Sequence, residues 1–132
     1  LRRQRQMCIR DRDTPDDLAQ HQLLHVLGYE EGWGYWLKKA EADRVDSSQG
    51  LQFDTLISAL RMAELGQGVA LARSSLVEHM LYQGALIAPF EQRFTTQEAF
   101  YLVYSPLATA NPQAVAFITW LVAQAQVGQP EN

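Results

Sequence analysis

The sequence predicts an α/β domain built on a mainly parallel sheet with helices on both faces. Three observations carry that expectation. Short apolar runs of strand character alternate with stretches whose apolar residues recur at helical spacing. Glycine and proline punctuate the boundaries between them. The intervals suit right-handed crossovers between parallel strands, which bury both faces of a sheet.

Structure is expected to begin near Asp13. Thr14-Pro15-Asp16-Asp17-Leu18 reads as a turn leading into a short helical segment. Gln22-Leu23-Leu24-His25-Val26-Leu27 is a short apolar run closed by Gly28, and so a buried strand. Trp33, Trp36, Leu37 and Ala40 fall at i, i+3, i+4 and i+7, one apolar face of a helix. Leu51-Gln52-Phe53 alternates as a short strand. Asp54 is placed to cap the helix that follows, whose stripe is Leu56, Ala59, Leu60 and Ala63. Gly66 suits the left-handed stop at its end.

Val69-Ala70-Leu71-Ala72 reads as the next buried strand. Ser75 and Glu78 have capping-box spacing and predict a short helix to about Tyr82, ended by Gly84. Leu86-Ile87-Ala88-Pro89-Phe90 is expected as an edge strand, because Pro89 has no N–H to give a ladder. Ala99-Phe100-Tyr101-Leu102-Val103-Tyr104, aromatic and β-branched, has the strongest strand composition in the chain. Asn111-Pro112 is a helix start, with Val115, Ile118, Leu121, Val122 and Ala125 along one side and Gly128 and Pro130 at the end.

The 132 residues, 47% hydrophobic, suffice for one small domain with a real core. No apolar run approaches the roughly 20 residues that span a bilayer, and no apolar stretch follows the N-terminal arginines as a secretory signal requires. The single cysteine, Cys8, has no internal disulfide partner. These features lead to the expectation of a cytoplasmic protein without membrane contact. The net charge is −4, yet Arg2, Arg3, Arg5, Arg10 and Arg12 all lie in the first twelve positions. The rest of the chain is therefore more acidic still, and such a surface repels phosphate backbones. A basic nucleic-acid arm is one reading of residues 1–12. The other is that they are non-native or disordered, since Met7-Cys8-Ile9-Arg10-Asp11-Arg12 resembles translated sequencing-adapter sequence.

No catalytic constellation stands out, and no cofactor or metal motif is found. His21 and His25 are four apart but run into a strand with no acidic or cysteine partner. Ser74-Ser75 lacks a nucleophile elbow. Gly66-Gln67-Gly68 follows a helix and precedes a strand, the reverse of the order in a dinucleotide fingerprint. It reads as a helix stop and tight turn. Trp33 and Trp36 are either core or, for Trp33 at the helix start, a ligand platform. Asp54-Thr55 has the most functional promise. In open α/β sheets, ligands bind beyond the carboxyl ends of strands, where helix N-termini favour anions. The alternative is that Asp54 only caps.

The order of segments resembles one lobe of the effector domain of LysR-type transcriptional regulators. The resemblance runs over residues 14–127. It is most specific in Ala63-Glu64-Leu65-Gly66-Gln67-Gly68-Val69-Ala70-Leu71 and in Gly84-Ala85-Leu86-Ile87-Ala88-Pro89-Phe90, followed by the Tyr101-Leu102-Val103 segment. These pieces resemble the subgroup that includes the glycine-cleavage and β-lactamase regulators. The resemblance implies an N-terminally truncated fragment of a parent of about 300 residues, a length that suggests two domains. It implies a winged helix-turn-helix for DNA, a linker helix and two Rossmann-like lobes of the type 2 periplasmic-binding-protein kind, in a homodimer or homotetramer. Residues 13–104 then form the second lobe with its return strand, residues 105–128 the C-terminal helix of the first lobe, and residues 129–132 a tail.

A small effector, carboxylate or amino-acid-like, would sit between the lobes and shift their populations. The resemblance places Phe53, Asp54 and Thr55 along the cleft, with Tyr29 and Trp33 beside them and Arg73 at the end of its strand to pair with a ligand carboxylate. It implies no catalysis. The rival architecture of the same shape is the solute-binding protein of a transporter, and an α/β enzyme is a third possibility.

Overall fold

The computed structural model describes residues 14–127. The expectations for residues 1–12 and for the tail at 129–132 lie outside the described residues. The chain forms two compact units that part between Gln97 and Glu98.

The first unit opens with a 3₁₀ turn, Pro15–Gln20. The backbone N–H of Thr14 donates to the Asp17 carboxylate across 2.7 Å, and Leu18 is buried beneath the turn. Strand β1 (Leu23–Val26), helix α1 (Trp33–Lys39), strand β2 (Leu51–Phe53), helix α2 (Leu56–Glu64), strand β3 (Val69–Ala70) and helix α3 (Ser74–Tyr82) follow. The sheet is parallel with order β2-β1-β3. Leu24 pairs with Leu51 on one side and with Ala70 on the other, so β1 is the central strand. The expected parallel α/β layout is therefore what these residues form.

Alternation along β1 divides the core. Leu23 joins Leu18, Trp33, Trp36, Leu37 and Ala42 in one buried cluster. Leu24 points to the opposite face, where Ala59 and Leu60 of α2 are also buried and α2 crosses the three strands. Burial of each large apolar side chain is worth about 1.5–3 kcal/mol. The aromatic centre is Trp36, whose ring lies 5.8 Å from Trp33, 5.8 Å from Phe90 and 5.7 Å from Phe94. Gly66, with φ +74°, ends α2 as its left-handed conformation predicts.

Four local expectations are corrected. The cap of α2 is Thr55, not Asp54: the chain stays extended one residue longer, and the Thr55 hydroxyl accepts from the Ser58 N–H. The cap position of α3 is Arg73, two residues before the Ser75 of the expected box, and no side chain caps that helix. Residues 86–90 form no strand. The N–H groups of Ala85 and Leu86 both turn back to the Met80 carbonyl, and Phe90 folds onto Trp36. Residues 99–104 likewise form no strand, because the described part of their own unit holds only a 3₁₀ turn and a helix and offers no strand to complete a ladder; Phe100, Tyr101 and Val103 are 69%, 83% and 86% exposed.

The second unit contains a 3₁₀ turn, Pro106–Ala110, and helix α4 (Pro112–Val127). Asn111 starts α4 as expected, its Oδ1 accepting from the Gln113 N–H across 3.0 Å. The helix is apolar on most sides, and Val115, Phe117, Trp120 and Val122 are exposed. No helix among the described residues is long and apolar enough to cross a membrane.

Candidate functional site

Three parallel strands end at one edge of the sheet, and the connections that leave them carry most of the predicted residues. Tyr29 follows β1, Asp54 and Thr55 follow β2, and Arg73 follows β3. Because β1 is central, the β2 and β3 ends stand about 10 Å apart, two strand spacings. The predicted residues thus form two groups on either side of the β1 exit.

On the β2 side, the Leu27 N–H donates to the Phe53 carbonyl across 2.8 Å and prolongs the pairing to the end of the sheet. Phe53 is half-buried, whereas Asp54 and Thr55 are exposed. The Thr55 hydroxyl lies 2.8 Å from the Ser58 hydroxyl. The first turn of α2 thus presents two hydroxyls beside backbone N–H groups that the helix does not use, an arrangement that favours an anion.

On the β3 side, the half-buried Arg73 guanidinium lies 5.6 Å from the Tyr29 ring centroid, a cation–π contact. Its Nη1 donates to the Thr96 hydroxyl across 2.9 Å. Two further bonds hold the same stretch of chain. The Tyr35 hydroxyl donates to the Thr95 carbonyl, and the Gln97 N–H donates to Glu31 Oε2, each across 2.8 Å. Sequence reading did not single out Glu31, Tyr35, Thr96 or Gln97. Their pairings span 60 residues or more for Tyr35 and Glu31, a distance at which no local pattern announces a contact.

Trp33 is in the core. The residue is 4% exposed, and its indole N–H donates to the Leu24 carbonyl across 3.1 Å. The histidines stand apart from this edge. His25 Nε2 is bonded to the Gln49 carbonyl, and His21 and His79 are exposed on other elements. Among the described residues no group of histidine, cysteine, aspartate and glutamate is arranged to hold a metal ion.

The chain matches the LysR substrate binding domain family over residues 5–126. It is 32% identical over 116 residues to the glycine cleavage system transcriptional activator of Escherichia coli K12, covering 88% of this chain and 38% of that one. It is 33% identical over 114 residues to the HTH-type transcriptional activator AmpR of Providencia stuartii, covering 85% and 37%. The fold is similar to the effector domain of the transcriptional regulator AmpR of Pseudomonas aeruginosa, with a TM-score of 0.66, 26% identity, and 88% of this chain on 55% of that one. The chain therefore spans less than two fifths of the length of these curated relatives.

Proposed function

The chain belongs to the LysR substrate binding domain family, and from that premise we propose that it is the effector-sensing part of a DNA-binding transcriptional regulator. The observation that carries this reading is the coincidence of that family match with a parallel sheet whose strand ends bring Tyr29 and Arg73 to one side of β1 and Phe53, Asp54 and Thr55 to the other. The ligand is a small carboxylate or amino-acid-like molecule. Two features favour its negative group: the first turn of α2 and the Arg73 guanidinium. Trp33 serves this edge from beneath, by tying α1 to the strand that separates the two groups.

In this proposal the ligand is held between two lobes, of which residues 13–104 supply the second with its return strand and residues 105–128 one helix of the first. A DNA-binding domain outside this chain, in a cytoplasmic homodimer or homotetramer, reads out the state of the lobes. The ligand acts by preferring one arrangement of lobes, so it must bind the two arrangements with different affinity.

Calorimetric titration of the protein with amino acids and small carboxylates tests the ligand class. A ligand whose affinity falls in both Thr55→Ala and Arg73→Ala supports the proposed edge. A ligand indifferent to both places the site elsewhere and removes the residue assignment.

A further inference from the structure

Residues 99–130 hold no Asp, Glu, Lys, Arg or His, in a chain that is 20% charged. They make up nearly all of the second unit, Glu98–Asn132. That unit is shorter than the roughly 40 residues below which a fold usually needs a disulfide, a metal or association between copies. The chain's one cysteine, Cys8, lies outside it, and no metal-holding group occurs among the described residues. Association is the remaining way to cover its apolar surface.

Among the unit's described residues, two features have no like element to pair with. Residues 101–104 have strand composition and no proline, and Tyr101 and Val103 are largely exposed, Tyr104 about half. Helix α4 presents Phe117 and Trp120 with ring centroids 6.0 Å apart, each more than half exposed. A second copy supplies a strand for the strand and a helix for the helix, the two layers that a small core requires. An uncharged surface gives a nucleic acid or a charged peptide nothing to pair with, and on an acidic protein it is where two copies repel least. A whole aromatic side chain offers about 150–250 Å². The exposed parts of these four rings, with Val103 and Leu107, therefore come to several hundred Å², on the order of the roughly 800 Å² per partner of a standard interface.

We propose that two copies of the chain associate through the second unit, with residues 101–104 paired antiparallel across a twofold axis and α4 of each copy laid against the ribbon. Leu102 then stands opposite Leu102 of the other copy. Tyr101 and Val103 share the opposite face of the strand. Each Tyr101 meets Val103 of the other copy, an aromatic side chain against a β-branched one, as a self-complementary interface allows. The proposal goes beyond the effector reading and holds whether or not the strand-end edge takes a ligand.

The test uses the 132-residue protein in sedimentation velocity runs from dilute to concentrated samples. A monomer that converts to a dimer and goes no further is expected. Val103→Lys alters a side chain that is 86% exposed, so the fold of the monomer is not at stake. It should weaken association at least about tenfold, the change that loss of a central apolar contact brings. Leu65→Lys puts the same charge on an exposed apolar position of the first unit and should leave association unchanged. Opposed Cα atoms in antiparallel strands stand about 4.5–5.5 Å apart, within the span of a disulfide. Leu102→Cys in a Cys8→Ser background should therefore oxidise to a linked dimer. Trp120 should be open to acrylamide in dilute samples and become protected as the dimer forms.

A monomer at every concentration overturns the proposal and leaves this surface to chain outside these 132 residues or to another protein. Assemblies that grow past the dimer overturn the closed twofold pair. A dimer that tolerates Val103→Lys, or one in which Leu102→Cys stays unlinked, overturns the strand pairing. None of these results touches the effector reading.

Discussion

The indole N–H of Trp33 donates to the backbone carbonyl of Leu24 across 3.1 Å, from a residue that is only 4% exposed. That bond joins the first residue of α1 to the middle of the central strand. Trp33→Phe keeps most of the apolar surface but leaves the carbonyl short of this partner. It should cost about 1–3 kcal/mol, read as a lower urea midpoint with an unchanged slope. A midpoint that does not move would show the bond to be dispensable.

Helix α2 separates two candidate caps by mutation. Thr55→Ala removes the hydroxyl that accepts from Ser58 and should cost about 1 kcal/mol. Asp54→Ala should change stability by less than about 0.5 kcal/mol, as is usual at exposed sites. The reverse ranking in chemical denaturation would return the cap to Asp54.

Gly50 and Gly66 both have positive φ, at +135° and +74°, but in different surroundings. A Cβ on Gly50 would stand 2.3 Å from the Leu23 carbonyl, a backbone atom of β1, and 2.8 Å from His25 Nε2. A Cβ on Gly66 meets nothing within 4 Å. Gly66→Ala should therefore cost only the left-handed backbone penalty, about 1–2 kcal/mol, and Gly50→Ala clearly more. Equal melting temperatures for the two variants would contradict the close approach.

The three tryptophans differ sharply in exposure: 4% for Trp33, 9% for Trp36 and 56% for Trp120. Acrylamide should quench one component of the fluorescence readily and leave the rest protected. Trp120→Phe should abolish the quenchable component. If quenching survives that change, Trp120 is covered in solution. Backbone amides of residues 112–127 should likewise exchange faster than those of β1, since α4 buries little of its apolar surface.

Asp46 supplies a pH signature. Its pKa lies below the ordinary 3.8, first because the Ser48 hydroxyl donates to its carboxylate across 2.6 Å and next because the Ser48 N–H donates across 2.9 Å. A depressed folded pKa means that the charged form is favoured by folding. Its stabilising contribution is present above the unfolded value of 3.8 and lost as pH falls through the lower folded value. Ser48→Ala should move the carboxyl titration back up, as followed by carbon-detected resonance. An unmoved titration would reject Ser48 as the cause.

Much of the first unit was legible because its signals are local. Leu23–Val26 is a four-residue apolar strand, Trp33–Leu37 an amphipathic turn and a half, and Gly66 a stop with the geometry its residue type favours. The failures fall where a long-range partner decides. The composition of Phe100–Tyr104 favours a strand, but a strand exists only with a neighbour to complete its ladder. Residues 86–90 were expected as an edge strand, but Phe90 packs on Trp36 instead. At the strand-end edge, Tyr29, Thr55 and Arg73 were reachable from the order of elements, whereas the Glu31 and Tyr35 bonds to residues 95–97 depend on how distant loops come to rest.

The sheet order has a consequence for how the protein comes into being. The central strand, β1, is synthesised first, yet its partners are Leu51–Phe53 and Val69–Ala70. As the chain emerges from a ribosome, Leu23 and Leu24 wait without a full set of neighbours until Ala70 has cleared the exit. Each pairing closes a long loop before any ladder bond rewards it, which makes parallel sheets slow to nucleate. The hydrophobic heart of the first unit is thus the earliest part made and the last to be sealed, and nascent chains stalled before Val69 are the ones most in need of a chaperone.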